Sequence, residues 1–179
     1  AGNTELVKLL LDAKKIDVNK ANKNGGTPLL IASQNGDTET VKLLLDAKKI
    51  DVNQANKYGA TPLFIASKQG NMETVKLLLD IEKININKAN KDGGTPLLIA
   101  SHKGNMEIVK LLLDAKKEID VNQANKDGYT PLFLASYDGN TELVKLLLDA
   151  KKIDVNQANI NGITPLFIAA QNGYTEIVK

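Results

Sequence analysis

The chain of 179 residues contains no cysteine, no tryptophan and no arginine. Without cysteine there are no disulfides, no thiolate metal site and no cysteine nucleophile, and a reducing, cytoplasmic setting is favoured. All 23 cations are lysine, so the planar fork that clamps phosphates and reads guanine edges is missing. With 21 acidic residues the net charge is only +2, which argues against nucleic acid or an anionic membrane surface as the partner. Long apolar runs are missing too. The longest, such as Leu29 to Ala32 and Leu166 to Ala170, are four or five residues, against the ~20 that span a bilayer. No basic start followed by an apolar stretch reads as a signal peptide, and no Asn-x-Ser/Thr acceptor occurs.

Catalytic constellations are equally scarce. His102 is the single histidine, so a nucleophile activated by a held histidine base has one candidate, at a position where neighbouring segments carry Gln34, Lys68, Tyr137 and Gln171. One histidine and no cysteine leave only carboxylates as metal ligands, and these recur for evident capping and turn reasons. No Gly-rich loop ending in Gly-Lys-Ser/Thr is present. The sequence therefore reads as non-enzymatic, with no catalytic residue, no metal and no cofactor.

What it does contain is a period. Thr-Pro-Leu begins at Thr27, Thr61, Thr95, Thr130 and Thr164, at separations of 34, 34, 35 and 34 residues. Val-Lys-Leu-Leu-Leu begins at Val7, Val41, Val75, Val109 and Val144, and a sixth copy starts at Val178. The whole of 1–179 is thus one array: a partial unit 1–22, full units 23–56, 57–90, 91–125 and 126–159, and a partial unit 160–179. Starting and stopping inside a helix, it reads as a stretch of a longer array whose uncapped ends could self-associate end to end.

Within a unit the local chemistry is explicit. Thr27 is suited to cap a helix that opens on Pro28, whose missing N–H would be unpaired there in any case. Gly36 suits the left-handed residue that ends this helix. Asp37, and Asn71, Asn105 and Asn140 at matching positions, are expected to cap a second helix, with Val41, Leu43, Leu44 and Leu45 turned inward. Glu39 and Lys42 sit three apart on its outer side, a pairing repeated at Glu73–Lys76, Glu107–Lys110 and Glu142–Lys145. Asp-Val-Asn then leads to a polar, Gly-tipped segment such as Asp51 to Gly59, with the turn chemistry of a projecting finger. Such a unit cannot bury both helix faces alone and is stable only by stacking.

These residues together resemble the ankyrin repeat family over the full length. A tetratricopeptide array has a similar period but lacks the Thr-Pro-Leu start and the polar finger. The resemblance implies an all-α solenoid of stacked helix-turn-helix units with β-hairpin-like finger loops. Two departures stand out. The family usually has His after Thr-Pro-Leu, where this chain has Leu30, Phe64, Leu98, Phe133 and Phe167, so apolar packing is expected instead of a polar link. One residue is also inserted before each Asp-Val-Asn, and a second in Lys116-Lys117-Glu118-Ile119, where a local surface bulge is expected.

The resemblance further implies that positions differing from unit to unit line a concave groove and finger tips that contact a protein partner. Among them Tyr58, Tyr129, Tyr137, Ile160 and Ile163 place large groups at sites expected to be exposed, as interface anchors are. The groove around unit 126–159 is the expected hot spot, with Asp127 and Asp138 in that unit, His102 and Lys103 on one side and Ile160 and Ile163 on the other. The alternative is that these side chains pack on adjacent fingers. Other functions remain open: a structural spacer in a larger protein, or a lysine stripe for a polyanion. By family resemblance Asn19, Asn53, Asn122 and Asn156 also match a known asparagine hydroxylation position.

Overall fold

In the computed structural model, residues 4–178 are described. Each Thr-Pro-Leu does open a short helix: α2 (Pro28–Asn35), α4 (Pro62–Gln69), α6 (Pro96–His102), α8 (Pro131–Tyr137) and α10 (Pro165–Gln171). The threonine hydroxyl accepts the N–H three residues on in every copy, at 3.2 Å from Leu30, 3.2 Å from Phe64, 3.1 Å from Leu98, 3.0 Å from Phe133 and 3.2 Å from Phe167. A second helix follows each: α3 (Thr38–Leu45), α5 (Met72–Leu79), α7 (Met106–Leu113), α9 (Thr141–Leu148) and α11 (Thr175–Val178), while α1 (Thr4–Leu11) belongs to the leading partial unit. The first helices stack on one another in chain order to form one layer, and the second helices lie behind them.

The core runs unbroken between the layers. Leu29, Leu63, Leu97 and Leu132 of the first helices meet Val41, Val75, Val109 and Val144 of the second. Leu44, Leu78, Leu112 and Leu147 are buried beside them, whereas Leu43 and Leu45, expected inward, are only half-buried. Three of the four outer Glu–Lys pairs form, at 3.1 Å for Glu39–Lys42, 2.7 Å for Glu73–Lys76 and 2.9 Å for Glu142–Lys145. In the last, hydrogen bonding to Glu142 and its charge raise the Lys145 ammonium above its ordinary range.

The fingers contain no strand among the described residues, yet they close like hairpins. Asn56 donates its N–H to the Ala60 carbonyl at 3.0 Å, and its Oδ1 accepts the Tyr58 and Ala60 N–H groups at 2.9 and 3.1 Å. Successive fingers are joined by one backbone bond each, from Lys57 to Asn24, Lys91 to Tyr58, Lys126 to Asp92 and Ile160 to Asp127. They lie so close that a Cβ on Gly93, whose φ is +83°, would sit 2.9 Å from the Asn125 Cα.

One capping expectation is corrected. Asp37 and Asn140 do cap their helices, accepting from Thr40 and Leu143 at 3.2 and 3.1 Å. Asn71 and Asn105 do not: their amides donate backward, Asn71 to the Ser33 and Gln34 carbonyls at 2.8 and 3.1 Å and Asn105 to the Ser67 carbonyl at 2.9 Å. They satisfy carbonyls at the end of the preceding unit's first helix, which would otherwise lack partners.

Candidate binding groove

The asparagines of the first three Asp-Val-Asn segments, Asn19, Asn53 and Asn122, fix the spacing of the repeats. Asn53 Nδ2 donates to the Lys83 carbonyl at 2.7 Å while its Oδ1 accepts the Asn85 N–H at 2.8 Å. Asn19 makes the same pair of bonds to Lys49 and Asp51, and Asn122 to Lys152 and Asp154. Asn87, missed because its segment reads Asn-Ile-Asn, makes them to Glu118 and Asp120 at 2.8 and 3.0 Å. A count of 34 residues from Asn53 would have found it. This last bridge crosses the doubly inserted loop, where Lys116 and Glu118 are exposed and the stack continues. Three of the four candidate modification sites are thus holding neighbouring loops together. Asn156 is exposed, and its N–H donates locally to Asp154 Oδ1 at 2.9 Å.

With the units held in register, three consecutive fingers and first helices enclose a cavity of about 590 Å³ on the finger side. Its floor is apolar: Leu98 of α6, Phe133 and Leu134 of α8, and Ile168 of α10, all buried and in mutual contact. Tyr129 and Ile163 form its walls, and Asn90, Asn125 and Asn159 stand at the finger stems. Asp92, His102 and Tyr137 also line it, as do Phe64 of α4 and Ile99 of α6. Among the described residues no lysine lines it.

The sequence-derived candidates divide on this geometry. His102, Tyr129, Tyr137 and Ile163 share the cavity, and Asp138 is brought to it by His102, whose Nδ1 lies 3.2 Å from Asp138 Oδ2. Tyr58, Asp127 and Ile160 are exposed on fingers outside it, and Lys103 is exposed after the end of α6. Tyr129 and Ile163, expected to be exposed, are half-buried. The Tyr129 ring stacks on Phe133 with centroids 4.8 Å apart and planes 15° from parallel. Ile163 packs on the floor cluster that includes Ile168. Each precedes a threonine cap and folds over the first turn of the helix it introduces, a variant of the hydrophobic staple. Tyr137, at the far end of α8, has no such turn to cover and is half-exposed.

Leu98 and Phe133 read from sequence as packing residues alone. The signal for their second role lies in the same place, the apolar residue that follows Thr-Pro-Leu, which stiffens the stack and also floors the groove. Elsewhere, a hollow of about 760 Å³ near α1 is lined by Lys8, Lys14, Lys48 and Lys49 together with Asp12, Asp17 and Asp46, so most of its cationic charge is offset by carboxylates. Among the described residues no cluster of three or more His, Asp or Glu side chains is placed to hold a metal, and no helix is long and apolar enough to cross a membrane.

The stacking geometry agrees with the comparisons. A family model of ankyrin repeats, three copies to a match, covers residues 1–90, 48–125, 81–159 and 117–179, and the chain belongs to the ankyrin repeat family. A crystal structure of EF0377, an ankyrin repeat protein, superposes with a TM-score of 0.91 at 35% identity, over 98% of this chain and 89% of that one. A search of curated proteins by sequence gives no match. Because 593 solved chains share the architecture, the fold alone does not select a partner. Ankyrin repeats are in general protein-interaction modules.

Proposed function

We propose that this chain is a non-catalytic interaction module or scaffold that binds a protein partner through the groove of units 91–125 and 126–159 and the first helix of the last unit. The observation that carries this reading is the cavity of about 590 Å³. An apolar floor there is open beneath polar fingers, and its rim is made of residues at positions that differ between units. Apolar pockets of ~300–1,000 Å³ with a few polar groups are the usual form of a binding site. We propose a cytoplasmic setting as well, which the absence of cysteine supports. The lysine pairs are a weaker surface for a polyanion, because Asp12, Asp17 and Asp46 accompany Lys14, Lys48 and Lys49.

The test is a random peptide library displayed on phage, panned against the chain. Bound clones are then rescreened against a His102→Ala, Tyr137→Ala double variant with unchanged circular dichroism, and against an outer-face control, Glu73→Ala with Lys76→Ala. Clones lost on the groove variant and kept on the control are the expected result. Clones indifferent to the groove variant would overturn it, and failure to select any binder would favour a spacer role.

A second reading, end-to-end self-association, is favoured by a separate observation. Leu9 and Leu10 of α1 are 64% and 51% exposed, and Leu166 and Phe167 of α10 are 57% and 56% exposed. Sedimentation velocity across a concentration series tests it. A sedimentation coefficient that rises with concentration and stops rising in Leu9→Lys supports association, and a constant one rejects it.

A further inference from the structure

Resting on the groove reading, we infer that the cavity recognises a partner segment in which one lysine or arginine is flanked by apolar side chains. The apolar groups fill the space over Leu98, Phe133 and Ile168, and the cation meets Asp92.

Three observations converge on this chemistry. Asp92 is a carboxylate in the cavity lining, and its side chain has no hydrogen bond or ion pair among the described residues; its own N–H goes to Asn90 Oδ1 and its carbonyl accepts from Lys126. Asp92 is solvent-exposed, so the attraction it offers a cation is modest until a bound partner covers it and displaces the screening water. Next to the lining residues His102 and Tyr137, Asp138 adds a second carboxylate outside the lining, with its Oδ2 held by His102 Nδ1. Tyr129 and Tyr137 also line the cavity, and tyrosine faces attract cations within ~6 Å of the ring centroid.

The surrounding charges limit the occupant further. Lys91, Lys103 and Lys126 are exposed and lie outside the lining. A densely basic segment would be repelled by them, whereas a single cation among apolar residues reaches Asp92 without accumulating that cost. An acidic segment seated in the groove would bring its carboxylate against Asp92, which penalises it there.

The experiment uses three capped heptapeptides, identical except for a central Arg, Gln or Glu between leucine and phenylalanine flanks. Each is titrated into the ¹⁵N-labelled chain while the amide signals of Asp92, Tyr129, Phe133 and Ile163 are followed. The Arg peptide is expected to shift these signals and to bind about tenfold tighter than the Glu peptide, the Gln peptide falling between, as one charge-assisted contact supplies. Asp92→Asn, which removes no intramolecular side-chain bond, is expected to abolish the Arg preference and leave the shifts in place. Equal binding of all three, or tightest binding of the Glu peptide, with shifts at the same amides would overturn the cation and leave the groove standing. If no peptide moves those amides at millimolar concentration, the groove reading falls and this inference with it.

Discussion

His102 Nδ1 and Asp138 Oδ2 lie 3.2 Å apart, linking the end of α6 to the residue that follows α8 in the next unit. Both side chains are substantially open to solvent, at 44% and 33%. With the imidazole protonated, an exposed contact of this kind contributes ~0.2–1 kcal/mol, and salt screens it. A double-mutant cycle with His102→Ala and Asp138→Asn, followed by urea unfolding, should give a coupling in that range that shrinks in high salt. A coupling several times larger would mean that the pair holds the rim of the groove closed rather than decorating it.

The asparagine bridges should matter more. Asn53 joins its loop to the next through two bonds, at 2.7 Å to the Lys83 carbonyl and 2.8 Å from the Asn85 N–H. Replacing it by alanine removes two bonds between loops, both open to water, at about 1–2 kcal/mol together. Asn156→Ala, which breaks no bridge between units, should stay within ~0.5 kcal/mol of the parent. Equilibrium denaturation of the two variants side by side checks the contrast, and equal losses would show that the bridges are incidental.

The glycines of the fingers allow a sharper comparison, because Gly93 and Gly162 share a left-handed φ but not their surroundings. An added Cβ on Gly93 would meet the Asn125 Cα at 2.9 Å and the Lys126 N at 3.0 Å, whereas nothing lies within 4 Å of one on Gly162. Gly162→Ala should therefore lose only the conformational cost, about 1 kcal/mol. Gly93→Ala must also push neighbouring fingers apart, for a total of about 3 kcal/mol. Thermal melts of both variants test this, and a Gly93 variant as stable as its Gly162 counterpart would show that the finger ladder yields easily.

The architecture was legible because its determinants are local. A threonine before proline can do little but cap, and its hydroxyl meets the N–H three residues on in every unit. The site was less legible because it depends on what the neighbouring unit presents. Asp37, Asn71 and Asn140 occupy the same register, but Asp37 and Asn140 cap their own helices, while Asn71 turns its amide donors to the carbonyls of Ser33 and Gln34, so residue type alone does not decide. Tyr129 and Tyr137 look alike as variable aromatics. Only the stacking of Tyr129 on Phe133 shows that one is a wall of the groove and the other remains half-exposed.

Buried hydroxyls give the last contrast. Ser67 is fully buried and its Oγ has no hydrogen-bond partner, as also holds for Ser33 and Ser101, while Thr61 in the same unit is buried with its Oγ1 accepting from Phe64. Alanine keeps the serine Cβ and loses only the hydroxyl, so the replacement introduces no steric overlap. Ser67→Ala removes a desolvated hydroxyl that returns nothing and should stabilise by about 1 kcal/mol. Thr61→Ala removes a hydroxyl of the same chemistry that does have a partner, and should destabilise by about 1 kcal/mol. Opposite shifts in urea midpoint at unchanged slope are the expected result. If Ser67→Ala instead lost stability, the serine hydroxyl would have to be bonded in solution, and the helix carbonyl one turn before it, that of Leu63, would be the acceptor to examine.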